Sequence, residues 1–282
     1  MAQQGLDQLL APGAKLERVA TGFRFTEGPA WDGKQYLYFS DIPANIIYRM
    51  DEQGNFEPWL TPSEKSNGLM FDSKGNLIAC RHWGRDVVRI SPDKKVATVA
   101  GSFEGKKFNS PNDCCVARDG TIYFTDPDYG LERRERELDV LGVYRVTPDG
   151  KITRIISDMT KPNGLFLSPD ERTLYVADTV DKKIRAYTLT EDGRAIGGRD
   201  FFVFQTDRRG GPDGMTLDER GNIYCTDGGG VWVISPQGKL LGIIETPEVP
   251  ANCTFGGADN KTLYITARTS IYRIRLNVRG LR

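Results

Sequence analysis

The stretch KPNGLFLSPDERTLYVAD, Lys161–Asp178, joins a short polar signature to an apolar run, a turn-rich spacer and a second run of strand formers. Leu165–Leu167 and Thr173–Val176 read as two antiparallel strands around a Ser-Pro-Asp turn. Variants of this unit recur along the chain: EGPAWDGKQYLYFSD from Glu27, SNGLMFDSKGNLIACR from Ser66, PNDCCVARDGTIYFTD from Pro111, PDGMTLDERGNIYCTD from Pro212 and ANCTFGGADNKTLYITA from Ala251. Their anchor residues, Glu27, Asn67, Asn112, Asn163, Asp213 and Asn252, fall roughly forty to fifty residues apart.

Each unit continues into a third strand, as in DVVRIS from Asp86 or GVYRVT from Gly142, and most have a fourth, as in VATVA or ITRII. Four short strands per repeat without a long helix predict an all-β, six-bladed β-propeller. It is expected to occupy residues 1–282 as a single domain. The last unit ends after three strands, and a strand-like stretch, Leu16–Ala20 (LERVA), precedes the first. That N-terminal strand should join the last blade and close the ring, removing a sheet edge.

Composition narrows the partners. The 38 basic and 38 acidic residues cancel, so no global field draws the chain to nucleic acid or to an anionic membrane. No run of about eighteen apolar residues exists, and MAQQGLDQLLAPGAK lacks a signal-peptide pattern. A cytoplasmic location is expected, or a periplasmic one had a leader been removed; oligomeric state stays open. The five cysteines have no zinc-like spacing and read as buried small hydrophobes. His82 is the sole histidine, which excludes any site needing two.

In a propeller the first strand of each blade lines the central channel, so the six anchors should form a ring. Carboxylates and amides converging on an axis are costly unless something satisfies them, and a hard cation does so best. Glu27 and Asp213 supply negative charge, while Asn112 and Asn163 supply neutral carbonyls. An all-oxygen set argues against copper or a structural zinc; Ca2+ is the expected ion, with Mg2+, Mn2+ or Zn2+ as alternatives. Taken singly, each Asn-Gly or Asp-Gly pair is ordinary turn chemistry. Recurrence at one point of successive blades favours the ring.

A second ring closes the second strands: Asp41, Arg81, Asp126, Asp178, Asp227 and Ala267. Its aspartates read as fasteners accepting backbone hydrogen bonds. Blades two and six depart from the pattern, which makes Arg81, His82 and Arg268 candidate substrate contacts. For His82 a satisfied structural role and a role as proton carrier both remain open. The charged insertion Leu131–Leu141 (LERRERELDVL) is either a solvated loop or a short helical lid over the pocket.

FTEGPAW (Phe25–Trp31), NSPND (Asn109–Asp113), YFTDPDYGL (Tyr123–Leu131), KPNGLFLSPD and GGPDGMTLDERGNIY (Gly210–Tyr224) together resemble the gluconolactonase family. That family includes regucalcin, luciferin-regenerating enzyme and the calcium-dependent diisopropyl fluorophosphatase, and the resemblance covers nearly the whole chain. It implies metal ligands at Glu27, Asn163 and Asp213, with Asn112 a fourth ligand or a substrate contact. Where relatives often show TDPPYG, this chain has Asp128 before Tyr129, an extra carboxylate near the expected mouth. Asn109-Ser110 replaces an Arg-containing segment of the regucalcin-like members, so the chain is more similar to bacterial-type gluconolactonases. Asn109, Asp128 and Tyr129 therefore join the candidate substrate contacts.

The implied reaction is metal-dependent opening of a small-molecule lactone, an aldono-1,5-lactone such as gluconolactone, by a water that Asp213 orients. Fluorophosphate-type hydrolysis at the same site and a non-catalytic calcium-binding propeller are the alternatives.

Overall fold

The computed structural model describes residues 2–206 and 210–281. It is a six-bladed β-propeller. Six four-stranded antiparallel sheets follow one another in sequence, each running from its innermost to its outermost strand. Blade one is built from Thr26–Trp31, Leu37–Asp41, Ile46–Met50 and Phe56–Leu60. The innermost strands of the others are Ser66–Phe71, Cys114–Val116, Pro162–Leu167, Met215–Leu217 and Pro250–Gly256. Each touches the next, and the sixth returns to the first, so the ring is closed.

Blade six draws its outer strand from the chain start: Glu17–Thr21 pairs antiparallel with Ser270–Arg275, with Glu17 opposite Arg273 and Thr21 opposite Ser270. The expected strand is displaced by one residue from Leu16–Ala20. Ahead of it a six-residue helix, Ala2–Asp7, which the sequence reading did not anticipate, lies against Leu240–Glu245. Leu6 and Leu9 are buried there among residues of blades five and six. No helix among the described residues is long and apolar enough to cross a membrane.

The core lies between blades. Alternation along every strand sends one set of side chains to each flank, and six clusters form, one at each junction of adjacent blades. Between blades two and three, Ile78 and Cys80 meet Cys114, Ile122 and Phe124. Each fully buried Leu, Val, Ile or Phe contributes about 1.5–3 kcal/mol relative to exposure. All five cysteines are free and buried, packing as small apolar groups.

In blades one, three and four the acid of the second ring fastens the blade to the segment that enters it, whereas Asp227 of blade five accepts from the N–H of Gly228. Asp41 accepts from the backbone N–H of Arg24 and Phe25. Asp126 does so from Asn109 and Ser110, and Asp178 from Thr160 and Lys161. Blade two lacks this acid, and Arg81 instead makes a paired contact with Asp86 (2.8 and 2.6 Å).

The insertion after blade three's second strand is neither a helical lid nor a free loop. Beyond one 3-10 turn, Tyr129–Leu131, it is irregular backbone strapped to blade two. Arg134 donates to the carbonyls of Gly130, His82 and Trp83 at 2.7, 2.9 and 3.0 Å. Lys65 pairs with Glu132, and Arg85 with Glu137. Several ties at separate points hold the segment as a wall.

Candidate active site

The Pro-Asn-Gly signature folds into a β-bulge at the channel end of the inner strand, not into a free turn. Pairing slips between Pro162 and Leu165, and likewise between Glu27 and Ala30 and between Ser66 and Leu69. A bulge turns the side chain of the extra residue out of alternation. Here Asn67 and Asn163 sit within the slip and Glu27 is the last paired residue before it, opposite Ser40, and all three line the channel cavity. The glycine that follows has a packing reason: a Cβ on Gly164 would lie 2.2 Å from the carbonyl oxygen of Asp213 in the next blade. The Gly164 N–H donates to that same oxygen (3.2 Å), and Gly68 N–H to Asn112 O (2.8 Å). The repeated glycine thus lets neighbouring blades bond backbone to backbone around the channel.

Five of the six anchors, Glu27, Asn67, Asn112, Asn163 and Asp213, line a cavity of about 350 Å3 at one end of the channel together with His82, while the sixth, Asn252, is outside the lining and donates to Asp113. The cavity volume is near the lower end of small-ligand sites. A head-to-tail relay of amides runs around the wall. Asn67 Nδ2 donates to Asn112 Oδ1 (2.7 Å), Asn112 Nδ2 to Asn163 Oδ1 (2.5 Å), and Asn163 Nδ2 to Thr179 Oγ1 (3.0 Å). Thr179 Oγ1 in turn donates to Pro212 O (2.8 Å), beside Asp213. Asn163 Oδ1 accepts one N–H and keeps a second lone pair, whereas Asn112 Oδ1 also has His82 Nε2 at 3.3 Å.

Two acids complete the ring. Glu27 is 4% exposed, and its Oε2 accepts from Gly28 N–H (2.9 Å). Burial, then repulsion from Asp213, pushes its carboxyl well above the usual range. Asp213 is raised to about 8, first by burial and then by repulsion from Asp113. Among the described residues no ion pair reaches Glu27 or Asp213.

The residues present fit a divalent cation. Two carboxylates with no ion pair among the described residues share a cavity wall with amide oxygens, and all the donors are hard. No three His, Cys, Asp or Glu side chains cluster as ligands among the described residues, so the set depends on its amides.

The candidate substrate contacts separate into two groups. Asn112, His82, Tyr129 and Arg268 line the cavity. Tyr129 is partly exposed at the mouth, with Lys161 Nζ 4.3 Å from its ring centroid, and the Arg268 guanidinium lies 5.4 Å from the ring of Phe25. Arg81, Asn109 and Asp128 lie outside the lining, because each is spent on a neighbour. Arg81 is bound to Asp86, Asp128 pairs with Lys161 (2.7 Å), and Asn109 clamps the insertion through Leu138 O (2.9 Å) and Leu138 N (3.2 Å).

His82 is buried, with Nε2 3.3 Å from both Asn67 Nδ2 and Asn112 Oδ1. Burial lowers its pKa to about 4, so the ring is neutral near pH 7 and a weak proton acceptor. Its position supports the amide relay. Sequence reasoning missed Thr179, Phe25 and above all Asp113, a buried acid raised to about 7 by desolvation. The signal for Asp113 was present: PND in blade three breaks the Gly of PNG.

Comparison with known proteins agrees with this architecture. Residues 25–269 match the SMP-30/Gluconolactonase/LRE-like region. The chain is 33% identical to a gluconolactonase of Zymomonas mobilis over 98% of its own length and 85% of the relative's. Among solved structures it is similar to a gluconolactonase of Xanthomonas campestris, at 34% identity and TM-score 0.90 over 97% of this chain and 93% of that one. A structural-genomics structure whose gluconolactonase assignment is provisional superposes at TM-score 0.94 and 37% identity, covering 100% of this chain and 98% of that one. On both the match and the ring of anchors, the chain belongs to the SMP-30/gluconolactonase/LRE-like family.

Proposed function

We propose that the chain is a metal-dependent lactonase acting on a sugar lactone, an aldono-1,5-lactone such as gluconolactone. The observation that carries this reading is the pair Glu27 and Asp213, one buried and one half-buried carboxylate with no ion pair among the described residues, on the wall of a cavity near 350 Å3. The gluconolactonase relatives support it from outside. Glu27, Asn163 and Asp213, with Asn112 beside them, would hold the divalent cation, Ca2+ before Zn2+, Mg2+ or Mn2+. When bound, the cation supplies Lewis-acid polarisation of the ring carbonyl and charge for the developing oxyanion.

The chain's own groups do the rest. Asp213 orients the attacking water and takes its proton. Asn112 and neutral His82 face the ring oxygens as hydrogen-bonding groups, while Tyr129 and Phe25 offer aromatic faces near the mouth. Attack forms the new C–O bond and breaks the ring C–O bond, and the released alkoxide regains a proton. A chelated sample assayed with a pH indicator on a panel of aldonolactones, each cation added back singly, tests the reading. Cation-dependent acid release is the expected result. No hydrolysis of any aldonolactone with any of the four ions rejects it.

A further inference from the structure

Six inner strands in ring order place blades three and six opposite each other. The position after the anchor is Gly28, Gly68, Gly164 and Gly214 in four blades, but Asp113 in blade three and Cys253 in blade six. The glycines beside those two blades make room. A Cβ on Gly68 would lie 2.4 Å from Asp113 Oδ1, and one on Gly214 would lie 1.9 Å from Asn252 Cγ. Into that space Asp113 and Asn252 reach from opposite sides and meet, with Asn252 Nδ2 donating to Asp113 Oδ2 at 3.2 Å. Each is also fixed on its own strand, Asp113 Oδ1 by Cys114 N–H (2.9 Å) and Asn252 Oδ1 by Cys253 N–H (2.8 Å).

The bridge lies between two cavities. The mouth cavity reaches Asn112 and Ala251, and a larger one of about 560 Å3 at the far end reaches Cys115 and Thr254. Neither includes Asp113 or Asn252, which are 7% and 6% exposed. The bridge also lies next to the mouth acids: Asp113 and Asn252 follow Asn112 and Ala251 of the cavity wall, and Asp113 sits close enough to repel both Glu27 and Asp213. Holding the blades together does not require a third buried carboxylate beside two others, an arrangement that costs free energy.

We propose that Asp113 and Asn252 are positioning residues of the cation site. Asn252 fixes the Asp113 carboxylate, and the pair sets a further acidic oxygen beneath Glu27 and Asp213. That negative charge raises the affinity of the site for a divalent cation. The inference rests on the reading that this site takes a cation.

Calorimetric titration with Ca2+ alone of chelator-stripped wild type, Asp113→Asn and Asn252→Ala tests it, alongside thermal unfolding of the stripped proteins. In the isosteric Asp113→Asn variant one of the two acceptor oxygens becomes an NH2 group, so the Cys114 and Asn252 donors can no longer both be served. Ca2+ affinity should fall about 10- to 100-fold in both variants, with stripped Asp113→Asn unfolding no earlier than wild type. A merely structural pair would lower the unfolding temperature and leave affinity alone. Unchanged affinity in Asp113→Asn overturns the proposal, whatever becomes of Asn252→Ala. A wild type that takes up no Ca2+ removes its premise and overturns the metal-dependent reading as well, an outcome distinct from unchanged affinity in the variant.

Discussion

Gly130 is packed against the ring of His82 so closely that a Cβ at position 130 would lie 2.3 Å from His82 Cγ. Its N–H donates to Ser110 Oγ (2.8 Å), and Arg134 holds both its carbonyl and that of His82. Neither partner can yield without moving the other. Gly130→Ala should therefore displace His82, and through Nε2 the Asn112 amide. Steady-state kinetics on the preferred lactone should show kcat/KM down about 10- to 100-fold, since misplacements near 1 Å reach that size. Thermal unfolding should report about 1–3 kcal/mol lost to overpacking. Unaltered kinetics would show that the His82 position is irrelevant to turnover.

Asp213→Asn removes the proton acceptor and should lower kcat by about 10^2- to 10^4-fold. The stripped variant should nonetheless unfold at a higher temperature than stripped wild type at pH 8, because a half-buried carboxylate repelled by Asp113 has gone. Opposite signs for activity and stability distinguish this from a packing defect. Differential scanning calorimetry beside the lactone assay reads both.

The stripped protein should gain stability as pH falls. Asp113 and Asp126 are raised to about 7 and Asp213 to about 8, all primarily by burial. The folded state thus binds more protons than the unfolded chain between the ordinary aspartate range and those values, and stability falls as pH rises through that window. His82 acts the other way, since its lowered pKa contributes stability above its ordinary value of 6.5 that is lost towards pH 4. From about pH 8.5 down to about pH 6.5 only the acids operate. The unfolding temperature should rise across that interval, and a flat or falling curve would contradict the burial of these groups.

Cation addition should reverse the deficit. At a hundredfold excess over Kd, binding only the folded state adds about 2.7 kcal/mol. Thermal scans with Ca2+, Mg2+, Mn2+ and Zn2+ should show the largest shift for the ion giving the highest lactonase rate. Its size should shrink below pH 7 as protons compete for Asp213.

Repeats made the blade count and the ring closure readable before any coordinates, because period and strand patterning are local properties of the chain. The anchors were legible for the same reason: Glu27, Asn112, Asn163 and Asp213 share one place in the unit and now share one cavity wall. What local reading misassigned was decided by partners distant in sequence or by competing bonds. Arg81 was drawn to Asp86, five residues on, and Asn109 to Leu138. The meaning of the signature glycine depended on the carbonyl of the next blade, some fifty residues away, as Gly164 and Asp213 show. Asp113 was visible as a broken pattern, but its role needed Asn252 from across the ring.

Thr21 in the strand Glu17–Thr21 pairs with Ser270, 249 positions further along the chain. Until that pairing forms, the folding chain is an open arc with two bare rims, and such long-range pairings form slowly. Glu27 and Asp213, donated by blades one and five, are brought together when blade six bridges the gap between them. The cavity wall is thereby completed only when the ring closes.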